Sequence, residues 1–138
     1  MKKLLVILSV VLISSPLSAL LSNLYFLLIM TENDKREYYQ YYSFGGDVFS
    51  IALYEIPIYI IVGIPVTFLI DFIIKKFKLN QSSRVYLIQL FMYMVAAGFF
   101  GSYLFLGSHN IEIFLVVLIA VLTYFHILVY FRKLFLLN

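Results

Sequence analysis

From Leu4 to Met30 the chain carries no charged residue. At a rise of about 1.5 Å per residue, a helix over that stretch exceeds the roughly 20 residues needed to cross the hydrocarbon core of a bilayer. Three more apolar runs follow, Val48 to Ile74, Val85 to Leu106 and Ile113 to Phe131. Lipid leaves two ways to satisfy every backbone amide, helices and closed barrels, and runs this long and continuous predict helices. The fold expected is all-α: one antiparallel bundle of four transmembrane helices forming a single membrane domain over residues 1–138, with spans 4–30, 48–74, 85–106 and 113–131 and an external loop at 31–47.

Composition closes off the soluble alternative. With 64% hydrophobic and 12% charged residues and a mean hydropathy of +1.02, the seven acids and ten bases are too few to build a water-facing shell. The net charge of +3 does not point to nucleic acid, because the bases flank the apolar runs and act there as orientation signals. With the N-terminus inside, Lys2, Lys3, Lys75, Lys76, Lys78, Arg84, Arg132 and Lys133 fall on the cytoplasmic side, and Lys35 and Arg36 fall outside. That asymmetry predicts a multi-pass cell-membrane protein with both termini cytoplasmic. Several of the 12 tyrosines lie near the ends of the runs, where amphipathic rings favour the interface.

The first run also has features of a secretory signal, with Lys2-Lys3 ahead of it and Ser14-Ser15-Pro16-Leu17-Ser18-Ala19 in the place of a cleavage region. Leu17 sits where such a site needs a small residue, and hydrophobicity resumes at Leu20, so an uncleaved anchor is expected. Thr31 to Asp47 is the one sustained polar stretch. It reads as the external loop, with Gly45-Gly46 marking a turn and Asp47 as N-cap of the next helix. Asp71 stands four residues before Lys75, the spacing of a helical ion pair.

Ionisable and amide groups inside the spans are the functional candidates, because each is costly in lipid. Glu55 lies about 10 Å into the second span by helix rise; Asn23 matches its depth in the first, and Ser102 and Tyr103 approach it in the third. Near the other face Asp71, Gln89 and His126 form a second candidate layer, with Thr123, His126 and Tyr130 on one helical stripe. His109, in the turn before the fourth span, lies on the opposite face from His126, so no metal site is expected. Pro57, Gly63 and Pro65 predict a second helix kinked by its two prolines. Ala97 with Gly101, and Gly98 with Ser102, form two small-xxx-small patterns suited to close helix packing.

The absence of cysteine removes thiolate chemistry and Cys-based metal sites. No phosphate loop, Gly-x-Ser-x-Gly or His-Glu-x-x-His occurs, so neither an enzyme nor a bound cofactor is expected. Tyr54-Glu55-Ile56-Pro57 and Gly63-Ile64-Pro65-Val66, ending in Leu69-Ile70-Asp71, resemble small uncharacterised four-span membrane proteins of Gram-positive bacteria. That resemblance implies a multi-pass membrane protein and assigns no residue a role. Small multidrug-resistance transporters are a poor match, since their membrane glutamate belongs in the first span.

Three function classes follow. The leading expectation is a non-enzymatic accessory, regulatory or immunity-type subunit that acts in the lipid bilayer through helix contacts, with a membrane-protein partner or a homo-oligomer. The alternative is a small transporter or channel, proton- or cation-coupled through Glu55, and a membrane-permeabilising phage protein is the third. A transporter requires Glu55 or His126 to line a water-accessible cavity, whereas the interaction class seals them among helices.

Overall fold

The computed structural model describes residues 2–41, 43–77, 82–108 and 111–136. Lys78, counted above among the cytoplasmic cations, and His109, in the turn before the fourth span, lie outside the described residues. The chain forms α1 (Lys2–Ile29), α2 (Glu32–Tyr41), α3 (Phe44–Ile58), a π turn (Tyr59–Gly63), α4 (Ile64–Lys76), α5 (Ser82–Ser108) and α6 (Ile111–Leu136). With α3, the π turn and α4 counted as one rod, four helices among the described residues are long and apolar enough to cross a membrane: Lys2–Ile29, Phe44–Lys76, Arg84–Leu104 and Ile111–Phe135.

Side-chain pairings give the directions. Lys3 meets Asp71 and Ser18 meets Glu55, so α1 runs antiparallel to the rod. Tyr86 meets His126 and Gly101 lies against Phe114, so α5 and α6 are also antiparallel. Tyr59 meets Ala120 and Asp71 meets Arg132, so the rod and α6 run the same way. The central helix is α1: 44% of its most apolar stretch is buried, against 17% in each other span. It packs on α3 and α6, while α5 leans on α6 and touches α4 only lightly.

The core lies toward the end of the bundle that holds the chain termini. Ile7, Val10 and Val11 of α1 meet Ile70 of α4, Tyr93 of α5 and Tyr124, Phe125 and Leu128 of α6. Aromatic rings fill it, with Tyr93 and Phe125 at 5.2 Å between centroids. Offset and tilted ring contacts of this kind add to what their area alone contributes. Elsewhere many long apolar side chains point outward: Leu28 and Phe99 are each 82% exposed.

The polar stretch at 31–47 corrects the loop expectation, because most of it is the helix α2. Thr31 caps it: the Asp34 amide donates to Thr31 Oγ1 at 3.3 Å, and the Thr31 amide donates back to Asp34 Oδ2 at 3.2 Å, a reciprocal capping box. Asp47 is not the N-cap of the next helix. Ser43 is, taking the Gly46 amide at 3.2 Å, and Gly45 and Gly46 lie in the first turn of α3 rather than in a bend. A Cβ on Gly46 would stand 2.7 Å from Ser43 Oγ, so glycine there clears the cap. Asp47 instead accepts from the Tyr38 hydroxyl of α2; burial, with Asp47 beside it, holds that phenol above its ordinary value.

Between Pro57 and Pro65 the helical bonding changes to the π turn. The Ile64 amide bonds the Tyr59 carbonyl, five residues back. Pro65 has no amide and its ring crowds the preceding turn, and a widened turn accommodates both. Its effect is to swing the Tyr59 ring into the interior, where it is 5% exposed.

Candidate functional site

Serines mark the face of α1 that meets α3. Ser14, Ser15, Ser18 and Ser22 are each 0% exposed, set three and four residues apart so that they stack on one stripe. Ser15 donates to the Ala52 carbonyl at 2.6 Å, and Ser14 returns its proton to its own helix at Val10, also 2.6 Å. Small hydroxylated side chains let α1 and α3 approach closely while bonding across the gap.

Glu55 enters this stripe from α3 and is 7% exposed. Its Oε2 is bonded to the Ser18 hydroxyl, and its Oε1 has no hydrogen-bond partner. Ser18 has one proton and three neighbours: Oε2, the Ser15 carbonyl at 3.0 Å and the Tyr59 hydroxyl at 3.1 Å. If Glu55 is ionised, Ser18 donates to it; if Glu55 is protonated on Oε2, Glu55 donates to Ser18 and Ser18 to Ser15. If Glu55 is protonated on Oε1, Ser18 still donates to Oε2 and Oε1 is a donor; in the other two arrangements Oε1 is an acceptor. Tyr59 also reaches the Ala120 carbonyl of α6 at 2.9 Å, so its single proton has two takers.

A second hydroxyl cluster lies further along the rod. Thr67 Oγ1 bonds the Gly63 carbonyl at 2.7 Å, the Tyr93 hydroxyl at 2.7 Å and the Tyr124 hydroxyl at 3.0 Å. The carbonyl can only accept, so Thr67 donates to it and accepts from both phenols, which fills its capacity. Tyr124 stacks on Tyr59 at 5.2 Å and 19°, joining the two clusters through ring faces.

Between them lies a cleft of about 110 Å³, walled by Ile58, Tyr59 and Val62 on the rod, Ala96 and Phe100 on α5, and Val117 and Ala120 on α6. Glu55 lies on its wall. The cleft exists because α3 and α5 do not pack extensively on each other, and its lining is otherwise apolar or aromatic.

Asp71 takes both guanidinium nitrogens of Arg132, at 2.8 and 2.7 Å, and Lys3 Nζ at 2.8 Å. This corrects the Asp71–Lys75 ion pair: Asp71 faces α1 and α6, and Lys75 is exposed. It also corrects the layer of Asp71, Gln89 and His126. His126 is exposed, with Nδ1 on its own Leu122 carbonyl at 2.7 Å and Nε2 at 3.3 Å from Tyr86. Gln89 is half-buried on α5. Nor is the stripe around His126 one environment, for Thr123 is buried while Tyr130 is 62% exposed.

Asn23 is buried, at 4%, but does not share the level of Glu55: it lies beside Tyr38 of α2, five residues along α1 from the Ser18 that meets Glu55. Ser102 and Tyr103 do not join Glu55 either and are exposed. The two small-residue patterns part company. Ala97 and Gly101 are buried, and a Cβ on Gly101 would stand 2.8 Å from the Phe114 ring of α6. A Cβ on Gly98 would meet nothing within 4 Å, and Ser102, one turn on, is exposed.

The serine stripe and the Thr67 cluster were missed from sequence. The signal for the stripe is the four-residue spacing of Ser14, Ser18 and Ser22, of which Ser14 and Ser18 entered the sequence reading only as part of a segment resembling a cleavage region. Tyr59, Tyr93 and Tyr124 stand mid-run rather than at run ends, which separates buried tyrosines from an interfacial belt. Among the described residues no three His, Cys, Asp or Glu side chains gather as a metal site would require. Comparison of the chain with protein-family models, curated proteins and solved structures finds no match.

Proposed function

We propose that this is a multi-pass protein of the cell membrane, with both termini cytoplasmic, that acts without enzymatic chemistry as an accessory, regulatory or immunity-type subunit through helix contacts. The observation that carries the reading is the outward face of α5, where a Cβ built on Gly98 would meet nothing within 4 Å and Ser102 is exposed. Helices associate in lipid where small residues let backbones approach and a hydroxyl can bond across. The interior supports the same reading: its hydroxyls bond mainly to one another and to carbonyls, and neither Glu55 nor His126 stands in a polar-lined passage.

The chain has no cysteine, so Ser102→Cys is a single-thiol probe. In native membranes it is expected to form a disulfide-linked dimer or a crosslink to one defined partner, while Leu28→Cys, on an exposed α1 position, gives neither. Equal, diffuse crosslinking from both positions refutes the reading.

A second reading, a small proton- or cation-coupled transporter working through Glu55, is favoured by one observation. Hydroxyls follow one another from Glu55 through Ser18 to Tyr59, and across the Tyr124 ring to Thr67 and Tyr93. It predicts proton flux in proteoliposomes, read with a pH-sensitive dye, that Glu55→Gln abolishes; the subunit reading predicts no flux from either protein.

A further inference from the structure

We propose that the end of the bundle holding the chain termini carries a binding site for the headgroup of an anionic phospholipid, centred on the Asp71 ion cluster. The inference rests on the transmembrane placement proposed above and is independent of helix contacts through α5. Asp71 draws three helices together: Arg132 of α6 takes both its oxygens, and Lys3 of α1 shares Oδ2. Those bonds bring the flanking cations of the same helices to one corner of the bundle. Lys2 precedes Lys3, Lys133 follows Arg132, and Lys75 lies four residues after Asp71, so one helical turn returns it to the same side of α4.

Charge at that corner is out of balance. Five cations, Lys2, Lys3, Lys75, Arg132 and Lys133, surround one carboxylate whose oxygens are both occupied. Asp71 is the one acidic side chain at this end: Glu55 is sixteen residues back along the rod, and the other acids lie in α2 or in the first turns of α3 and α6. Lys2, Lys75 and Lys133 are exposed, and among the described residues none of the three enters an ion pair. An anion reaching the cluster would meet three unpaired ammonium groups and break no bond to Asp71.

The surroundings select the kind of anion. Lys3 Nζ lies 5.3 Å from the centroid of the Phe68 ring, so charge and apolar surface are contiguous. Phe68 is 41% exposed, and Leu5 and Phe72 on the same two helices are 61% and 63% exposed. A soluble phosphate or an acidic peptide would cover the cations and leave that apolar surface bare. An anionic phospholipid covers both, with its phosphate on the lysines and an acyl chain along Phe68, and clustered basic side chains at the end of a membrane helix attract such lipids.

The chain has no tryptophan, so one introduced indole reads the site. Phe68→Trp keeps a ring beneath Lys3, an indole being the better partner for a cation. It stands seven residues from Lys75, about 10 Å by helix rise, within the hydrocarbon of one leaflet. The full chain is reconstituted in phosphatidylcholine vesicles and quenched with phosphatidylglycerol or phosphatidylcholine brominated at mid-chain. Phosphatidylglycerol is expected to be preferred at Phe68→Trp by about 5-fold or more, the effect of one basic side chain near a charged membrane surface. No preference is expected at Phe99→Trp, an 82% exposed position on α5. Lys2→Gln, Lys75→Gln and Lys133→Gln together leave the Asp71 bonds intact and are expected to bring the ratio at Phe68→Trp close to one. Salt at about 1 M, which shortens the screening length to about 3 Å, is expected to do the same without any substitution. Equal quenching by the two lipids at Phe68→Trp overturns the proposal, as does a preference that survives the triple substitution. A preference removed by inorganic phosphate at constant ionic strength also overturns it, by assigning the cluster to a soluble anion. Quenching of neither indole by either lipid overturns the transmembrane placement, and the proposal with it, so the two failures are told apart.

Discussion

Replacing Thr67 with valine keeps the shape of the side chain and removes one oxygen, and the surroundings of that oxygen set the expected cost. Thr67 Oγ1 accepts from Tyr93 at 2.7 Å and Tyr124 at 3.0 Å, and these tyrosines are 3% and 1% exposed. If only two interhelical bonds mattered, at the membrane average of about 0.6 kcal/mol each, the loss would be about 1.2 kcal/mol. Thr67→Val does more than remove bonds, because it leaves two phenols buried without acceptors, each at a cost of about 1–3 kcal/mol. Water is not at hand to rescue them in this interior. The expected loss is therefore at least about 2 kcal/mol, rising toward about 5 kcal/mol if neither phenol finds a new acceptor. Tyr93→Phe and Tyr124→Phe each remove a donor along with its need, and should cost about 1 kcal/mol. The triple variant, with all three oxygens gone, should be more stable than Thr67→Val alone. Unfolding by SDS titration in mixed micelles measures all four proteins. A Thr67→Val cost below about 0.5 kcal/mol, or a triple variant less stable than Thr67→Val, refutes the reasoning.

Three further outcomes follow from other contacts. Asp71→Ala leaves the Arg132 guanidinium, whose side chain is only 18% exposed, without its bidentate acceptor and frees both terminal helices; a loss of about 3 kcal/mol in the same SDS titration is expected, and Lys75→Ala should cost nothing measurable. Gly101→Ala and Gly98→Ala gain the same helix propensity, about 1 kcal/mol, but only the first drives a Cβ to 2.8 Å from the Phe114 ring, so Gly98→Ala should be the more stable variant while weakening any crosslink through Ser102→Cys. The Tyr38 phenol is held above its ordinary value by burial and by Asp47. Its contact with Asp47 is therefore fully present below the unfolded tyrosine value of about 10 and lost as pH rises through the higher folded value, which the 295 nm titration difference between the unaltered chain and Tyr38→Phe reads directly.

How much was legible in the sequence depended on the length of the signal. Long apolar runs predicted helices over Leu4–Met30 and its three counterparts, and each occurs as a helix extended by a few residues at one or both ends. Composition could not distinguish the polar loop from a polar helix: Thr31-Glu32-Asn33-Asp34 has the spacing of a capping box, but with no apolar stripe behind it the stretch reads as loop. Glu55 and Asn23 were legible as buried because each is a carboxyl or amide set deep inside an apolar run. Their true neighbours were not, since depth along a helix says nothing about rotation around it. Ser102 and Tyr103 have the depth of Glu55 and face outward; Ser18 has a similar depth and faces inward. The same blindness joined Asp71 to Lys75, where Arg132, far along the chain, holds the better geometry. In an all-apolar helix the hydrophobic pattern cannot mark an inner face, and here the inner face of α1 is marked by serine.

The proposed arrangement sets the four long helices in lipid, with α2 on one side and the chain termini on the other. The cysteine-free chain allows a direct measurement: Lys35→Cys in α2 and Lys133→Cys near the end of α6, each exposed to a membrane-impermeant maleimide in intact cells. Labelling of Lys35→Cys alone, with Lys133→Cys labelled only after the cells are permeabilised, is the predicted result. Equal labelling of both positions in intact cells, or recovery of the chain in the soluble fraction without detergent, contradicts it.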